Sequence, residues 1–291
     1  MRTGHASRTA EHNALFRALE SSRRPSQRFF EDSLARAFLT GSLAWAGRLG
    51  AVPGVRALVT WFIDRRWPGP RTAVVARTVL IDDAIAAAVD GQIAQCVILG
   101  AGYDTRAHRL ACLQDVTVFE VDHPDTQQAK QRVLPVRPSN VRYVASDFNH
   151  QTLDAAMAEA GYEATVPTVF LWEGVTNYLT ADAVDATLRW CAQAAAGSVL
   201  VFTYVHRDVL TNPGAFTGGE RLFATLAKVG ETFTFGFDPQ QLPDYLAERG
   251  LVLEQDVGAA EFRARYYRAA AAKMHGHEFY RVATARVAGP G

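Results

Sequence analysis

Four apolar runs in this chain each end on a carboxylate. "AQCVILG" (94–100) leads into Gly100, Gly102 and Asp104, and "VTVFEVD" (116–122) closes on Glu120 and Asp122. "VRYVASD" (141–147) closes on Asp147, and "TVFLWEG" (168–174) on Glu173. If the runs are strands of an open parallel sheet, ligands bind beyond their carboxyl ends. Acids there can accept hydrogen bonds from hydroxyl, amino and ammonium groups. A strand exit needs a polar residue anyway, so each acid alone also reads as simple solvation. Four in succession point to a ligand.

The glycine turn narrows the choice. A dinucleotide fingerprint reads GxGxxG, its third glycine lying beside the pyrophosphate. Here that place is Thr105, next to Asp104, and no GxxxxGK[ST] occurs. A carboxylate repels a pyrophosphate, so the turn suits a nucleoside without phosphates. Asp122 stands twenty residues beyond Gly102, where an acid accepts from ribose hydroxyls. Asp147 and Phe148 suit an adenine, one by accepting an amino hydrogen and the other by apolar contact. S-adenosylmethionine (SAM) is such a nucleoside, with a zwitterionic tail that needs one anion and one cation. Glu173 can meet the ammonium. Arg77 can meet the carboxylate, because it falls on the apolar stripe Val74, Ile81, Ala84 or Ile85, Ala88 of a helical segment and so points inward. A buried charge needs a partner, and a salt bridge to Asp82, Asp83 or a core acid is the competing reading.

These residues need a scaffold. Residues 1–90 read as a helical extension: "EHNALFRALE" and "TAVVARTVLIDDAIAAAVD" carry apolar residues at three- and four-residue spacing, with "RRWPGP" as a joint. From residue 94 short apolar runs alternate with helical segments such as "DTRAHRLACL", "PDTQQAKQRVL" and "TADAVDATLRWCAQAAAG". That rhythm implies an α/β domain over 91–291, a mostly parallel sheet with helices on both faces. It breaks after "SVLVFTYV", where residues 206–236 read as an inserted lid. A helix in "DPQQLPDYLAERG", a strand "LVLEQDV" and a last strand in "HEFYRVATARVA" follow.

Bulk composition fits a soluble enzyme. Hydrophobic residues make up 48% and charged ones 21%, and the formal net charge is zero, against the cationic surplus that nucleic-acid binding needs. No apolar run is long enough to span a membrane, and the N-terminus has no apolar signal core, so a cytoplasmic protein without membrane attachment is expected. Cys96, Cys112 and Cys191 have no metal-ligand spacing, so buried reduced thiols and no metal are expected. Oligomeric state cannot be read from the residues.

The ordered motifs "ARTVLIDDAI", "LGAGYDTRAHRL", "VFEVDHP", "ASDF", "WEGVTNYL" and "FGFDPQQLPDYLAERG" resemble the leucine carboxyl methyltransferase family, including its bacterial SAM-dependent branch, over most of residues 71–257. The resemblance implies a class I methyltransferase fold: a Rossmann-like seven-stranded sheet with one antiparallel strand, a helical extension and a lid. It implies that Arg77 holds the SAM carboxylate and that Gly100, Ala101 and Gly102 line the methionine portion. It assigns Asp122 to ribose, Asp147 and Phe148 to adenine, and Glu173 to the amino-acid end. Phe148 stands where the family has leucine. Tyr178, with Asn177 beside it, matches a substrate-side position, and a core tyrosine is the plainer alternative.

Methyl transfer from a sulfonium is an in-line displacement that rewards positioning. A carboxylate acceptor is ionised at neutral pH, whereas a phenol must lose a proton. The candidate bases, His123, His150 and His206, sit at strand ends without an acid–histidine pairing that marks one. The reading is therefore a SAM-dependent O-methyltransferase acting on a carboxylate of a small metabolite, with no dedicated catalytic base. The alternatives are a phenolic or polyketide hydroxyl as acceptor, a nicotinamide-dependent oxidoreductase, and a catalytically silent SAM-binding protein.

Overall fold

In the computed structural model, which describes residues 8–91, 93–134, 136–146 and 153–289, the apolar runs are strands. β1 (Gln95–Leu99), β2 (Thr117–Asp122), β3 (Val141–Ala145), β4 (Thr168–Trp172) and β5 (Val199–Val205) pair in parallel. β6 (Leu251–Gly258) and β7 (Tyr280–Val287) complete a seven-stranded sheet of order β3-β2-β1-β4-β5-β7-β6. β7 runs antiparallel to both neighbours. This is the mostly parallel α/β sheet with one reversed strand that the family pattern implies. Strand order reverses between β1 and β4, so the switch-point crevice at which such sheets bind ligands falls where the glycine turn and Glu173 leave the sheet.

The strands are buried on both faces and their side chains alternate. Val97, Leu99, Phe119, Phe170, Trp172 and Phe202 face one core. Ile98, Val118, Leu171 and Val201 face the other. Fully burying such side chains contributes roughly 1.5–3 kcal/mol each.

Among the described residues four α-helices precede β1: α1 (Arg8–Ser21), α2 (Gly41–Leu49), α3 (Pro53–Arg66) and α4 (Pro70–Asp90). Pro70 stands in the first turn of α4, where its missing N–H costs nothing. α4 lays Leu80, Ile81 and Ile85 on the second core. It also gives Val74 to a separate cluster with Leu15, Leu19, Phe38 and Ile63 of the extension. Short α5 (Arg106–Arg109) follows β1, α6 (Pro124–Val133) follows β2, and α7 (Leu153–Glu159) precedes β4. α8 (Ala181–Cys191) covers the first core with Val184 and Leu188. α9 (Gly219–Val229) lies in the inserted region and α10 (Leu242–Ala247) precedes β6.

Three local expectations need correction. "DTRAHRLACL" is not one helix, because Leu110 is extended and separates α5 from a 3-10 turn at Ala111–Leu113. The sequence rhythm did not disclose α11 (Ala259–Tyr267), which joins β6 to β7 and buries Ala259 and Phe262 in the second core. Cys112 is only partly buried, unlike Cys96 and Cys191. Among the described residues no helix is long and apolar enough to cross a membrane.

Candidate functional site

The turn after β1 is built to bring backbone close to its neighbours. Gly100 and Gly102 have φ of +68° and +41°. The Gly100 and Ala101 amides donate to the Val121 carbonyl at 2.8 and 3.0 Å. A Cβ on Gly100 would collide with Val175, so only glycine lets the β1 exit meet the loop after β4. At the end of β2 the Asp122 carboxylate accepts the amides of Gly102 and His123, the latter at 2.6 Å. Burial raises this carboxyl above its ordinary range, against the pull of the two amides.

Beside the turn lies a buried ionic network. Arg77 Nε donates to Glu173 Oε1 at 2.8 Å, and Arg106 Nη1 donates to Glu173 Oε2 at 2.8 Å. Arg106 also pairs with Asp104 and, through Nε at 2.7 Å, with Asp82. Arg109 grips both oxygens of Asp82 at 2.7 and 2.9 Å. Three guanidiniums thus face three carboxylates. Burial would raise the Asp104 carboxyl, but Arg106 and then Lys130 outweigh it and hold it at about 2. For Glu173 the same contest, burial against Arg106 and Arg77, leaves the carboxyl below its usual range. The cavity enclosed by Thr78, Asp104, Arg106 and Glu173 is about 10 Å³, room for a single water. Arg77 itself makes only its Nε hydrogen bond among the described residues, leaving its terminal nitrogens without a protein acceptor.

The extension lies over the turn. Arg17 donates to the Tyr103 carbonyl at 2.6 Å and to Asp32 at 2.8 Å, and the Thr105 hydroxyl donates to the same Asp32 oxygen at 2.8 Å. Phe38 stacks on Tyr103 with ring centres 4.4 Å apart.

The opposite side is aromatic. Tyr178 packs edge-on against Phe233 at 5.2 Å, and the Arg77 guanidinium lies 5.7 Å from the Tyr280 ring centre. His277 stacks on Tyr280 at 5.8 Å. Tyr178 and Thr9 both donate to Glu231 Oε2, at 2.9 and 2.7 Å, so one carboxylate ties α1, the inserted region and the loop after β4. The Asn177 side chain is buried, and the residue's main-chain carbonyl accepts the Thr234 amide at 2.8 Å. Burial, then Arg263 and Arg77, drive the His277 imidazole down to about 3. It is neutral at physiological pH and a weak proton acceptor.

The structure therefore brings Arg77, Gly100, Ala101, Gly102, Asp122 and Glu173 to one edge of the sheet, with Asn177 and Tyr178 in the loop beside them. Asp147, Phe148 and His150 lie outside the described residues. Glu120 is not at the crevice: its carboxylate is buried against Lys130 Nζ at 2.7 Å beneath α6. Arg77 does pair with an acid, and it is the core acid Glu173, not Asp82 or Asp83. Asp82 is held by Arg106 and Arg109, and Asp83 accepts from the Tyr266 hydroxyl at 2.7 Å. His123 and His206 accept, through Nδ1, the amides of Asp125 and Asp208 at 3.3 and 3.2 Å, capping the elements that follow. Sequence reasoning missed the roles of Arg106 and His277. A charged residue two places past Asp104, opening a helix, was a usable signal for Arg106. Nothing local in "MHGHEFY" marks His277.

The profile of the leucine carboxyl methyltransferase family matches residues 10–192. A Streptomyces coelicolor protein named as a SAM-dependent methyltransferase is 35% identical over 207 residues, 69% of this chain and 70% of that one. The chain belongs to the leucine carboxyl methyltransferase family. It is a SAM-dependent methyltransferase. A Frankia alni relative, also named as one, is 35% identical over 233 residues, 76% of this chain and 77% of its own. In fold, the methyltransferase is similar to a Thermobifida fusca crystal structure described as a methyltransferase, with TM-score 0.58, 15% identity and 94% of each chain covered. Among the described residues no cluster of three His, Cys, Asp or Glu side chains is arranged to hold a metal ion.

Proposed function

We propose that this methyltransferase transfers the SAM methyl group to a carboxylate oxygen of a small metabolite, forming a methyl ester. The donor set fits the cofactor. Asp122 accepts two amides and keeps further lone pairs for ribose hydroxyls. Glu173 spends one lone pair per oxygen on arginines and keeps others for an ammonium. Arg77 has terminal N–H groups to offer a carboxylate. The local network balances three positive against three negative charges, so a zwitterionic tail adds no net charge to it. Gly100, Ala101 and Gly102 line the methionine portion, and Asp147 with Phe148 flank adenine. The cofactor, when bound, supplies an electrophilic methyl on a sulfonium.

The observation that carries the carboxylate reading is the state of the described histidines at the site, His150 lying outside the described residues. His277, the one buried beside Arg77 and Tyr280, is too weak a base at about 3, and His123 and His206 spend Nδ1 on capping. A carboxylate needs no proton removed, so positioning suffices, and it can supply on the order of 7–11 kcal/mol. Residues 1–90 act as a cap and 206–236 as a lid. Between them Tyr178 and Asn177 meet the acceptor.

The test has two parts. The product should release methanol in mild alkali, as an ester does and an aryl ether does not. The chemical step in single turnover should be nearly flat from about pH 6 to 9, since the acceptor stays ionised throughout. An alkali-stable product, together with a histidine variant that abolishes turnover, would make this a phenol methyltransferase.

A further inference from the structure

Of the ten large hydrophobic side chains exposed among the described residues, seven lie between residues 45 and 67. Trp45 and Leu49 stand on α2, Leu58, Trp61 and Phe62 on α3, and Trp67 just past its end. Trp45, Leu58 and Trp61 are 64%, 64% and 61% exposed. The spacings 45–49 and 58–61–62 are those of one helical face, so each helix turns an apolar stripe outward. Exposed apolar stripes on two helices that follow one another in the chain mark an interaction site.

The charges in the same stretch tell what it meets, although Arg56 is half-buried and donates to the Ser22 carbonyl. From Gly41 to Trp67 the chain has four arginines, Arg48, Arg56, Arg65 and Arg66, against one acid, Asp64, and no lysine or glutamate. Asp64 is already taken by Arg71 at 2.9 Å. The Arg48 and Arg66 guanidiniums lie 5.5 and 5.0 Å from the ring centres of Trp45 and Trp67. Tryptophan beside arginine is the pairing that sits at a bilayer's headgroup level, the rings among the upper acyl chains and the cations among phosphates. A two-fold contact with a second copy would instead set arginines against arginines with no free acid to match.

We propose that α2 and α3 dock on the surface of an anionic lipid bilayer. The attachment is peripheral: side chains enter the headgroup layer and no helix crosses. It also involves the inserted region, because Arg221 of α9 donates to the Arg66 carbonyl at 2.6 Å, which sets the lid beside the lipid.

The test uses the full chain with sucrose-loaded vesicles, one set containing phosphatidylglycerol and one of phosphatidylcholine alone. The protein should sediment with the first and not the second, with a blue-shifted tryptophan emission that high salt reverses. Arg65→Ala with Arg66→Ala should lower partitioning roughly 30-fold, about fivefold per arginine. Trp61→Ser with Phe62→Ser should abolish it. Thermal melting should be unchanged in both, since these side chains are exposed. A wild-type protein that stays in the supernatant with phosphatidylglycerol would overturn the proposal. So would patch variants that bind like wild type, or a wild-type dimer that ignores vesicles and becomes monomeric with Trp61→Ser, which would assign the patch to a second copy.

Discussion

The two sides of the crevice are held in opposite ways. On one, Arg77, Arg106 and Arg109 interlock with Asp82, Asp104 and Glu173 through ion pairs, most of them at 2.7–2.8 Å. On the other, Tyr178, Phe233, His277 and Tyr280 meet through ring contacts of 5.2–6.4 Å, with Glu231 as the polar tie. Each buried charge costs several kcal/mol unless it is paired, so the ionic side admits few alternative arrangements. A ring pair is worth about 0.5–1.5 kcal/mol beyond its burial, and one packing can be exchanged for another at small cost. On the proposal above, the rigid side meets the invariant cofactor and the adaptable side meets the acceptor.

The sharpest way to break this comparison is Arg106→Ala. It strips a partner from Glu173, Asp104 and Asp82 at once, and removing one member of a buried pair costs about 3–5 kcal/mol. Urea denaturation should report a loss of that size. A loss below about 1 kcal/mol would mean the network is not what stiffens this side.

Next in size are the ligand effects. Arg77→Ala should weaken SAM by about 1.5–3 kcal/mol, the worth of a hydrogen bond to a charged group. It should leave 5′-methylthioadenosine, which lacks the carboxylate, bound as before. Asp122→Ala should weaken both ligands alike, through the ribose they share. Calorimetry separates the two patterns, and equal losses in a folded Arg77→Ala protein would remove the carboxylate role.

A pH effect follows from His277. Its folded value, about 3, lies below the ordinary 6.5, so below pH 6.5 the unfolded chain takes up a proton that the fold refuses. The stability it contributes is complete above pH 6.5 and is lost as pH falls toward 3. Between pH 7 and 5 the loss is about 2 kcal/mol, and His277→Asn should flatten that part of the stability profile. The smallest effect belongs to the aromatic side. Glu231→Gln keeps the shape and weakens the hydrogen bonds from Tyr178 and Thr9, which should cost about 0.5–1.5 kcal/mol in stability. It should alter acceptor KM while SAM affinity stays fixed.

Much of this is legible in the residues themselves. Strands β1, β2, β4 and β5 announce themselves as short apolar runs because both their faces are buried, and the positive φ at Gly100 and Gly102 requires the residue type found there. Gly100, Asp122 and Glu173 could be placed at strand ends because a strand's end is a local property of the chain.

Partnership is not local, and there the tertiary structure decided. Arg77 has Asp82 five residues ahead on its own helix, but residues five apart do not share a helical face, and its acid is Glu173, 96 residues away. Glu120 reads like Asp122, two residues on and on the same face of β2, yet Lys130 of α6 covers Glu120 within the strand while Asp122, at the strand's end, meets the glycine turn. His277 becomes a neutral, non-basic imidazole through what packs on it, Tyr280, Phe279 and the field of Arg77 and Arg263. Residue types determined which groups could carry charge. Burial and the long-range meeting of helices with strand ends decided which of them face each other, because desolvation and pairing depend on the whole fold.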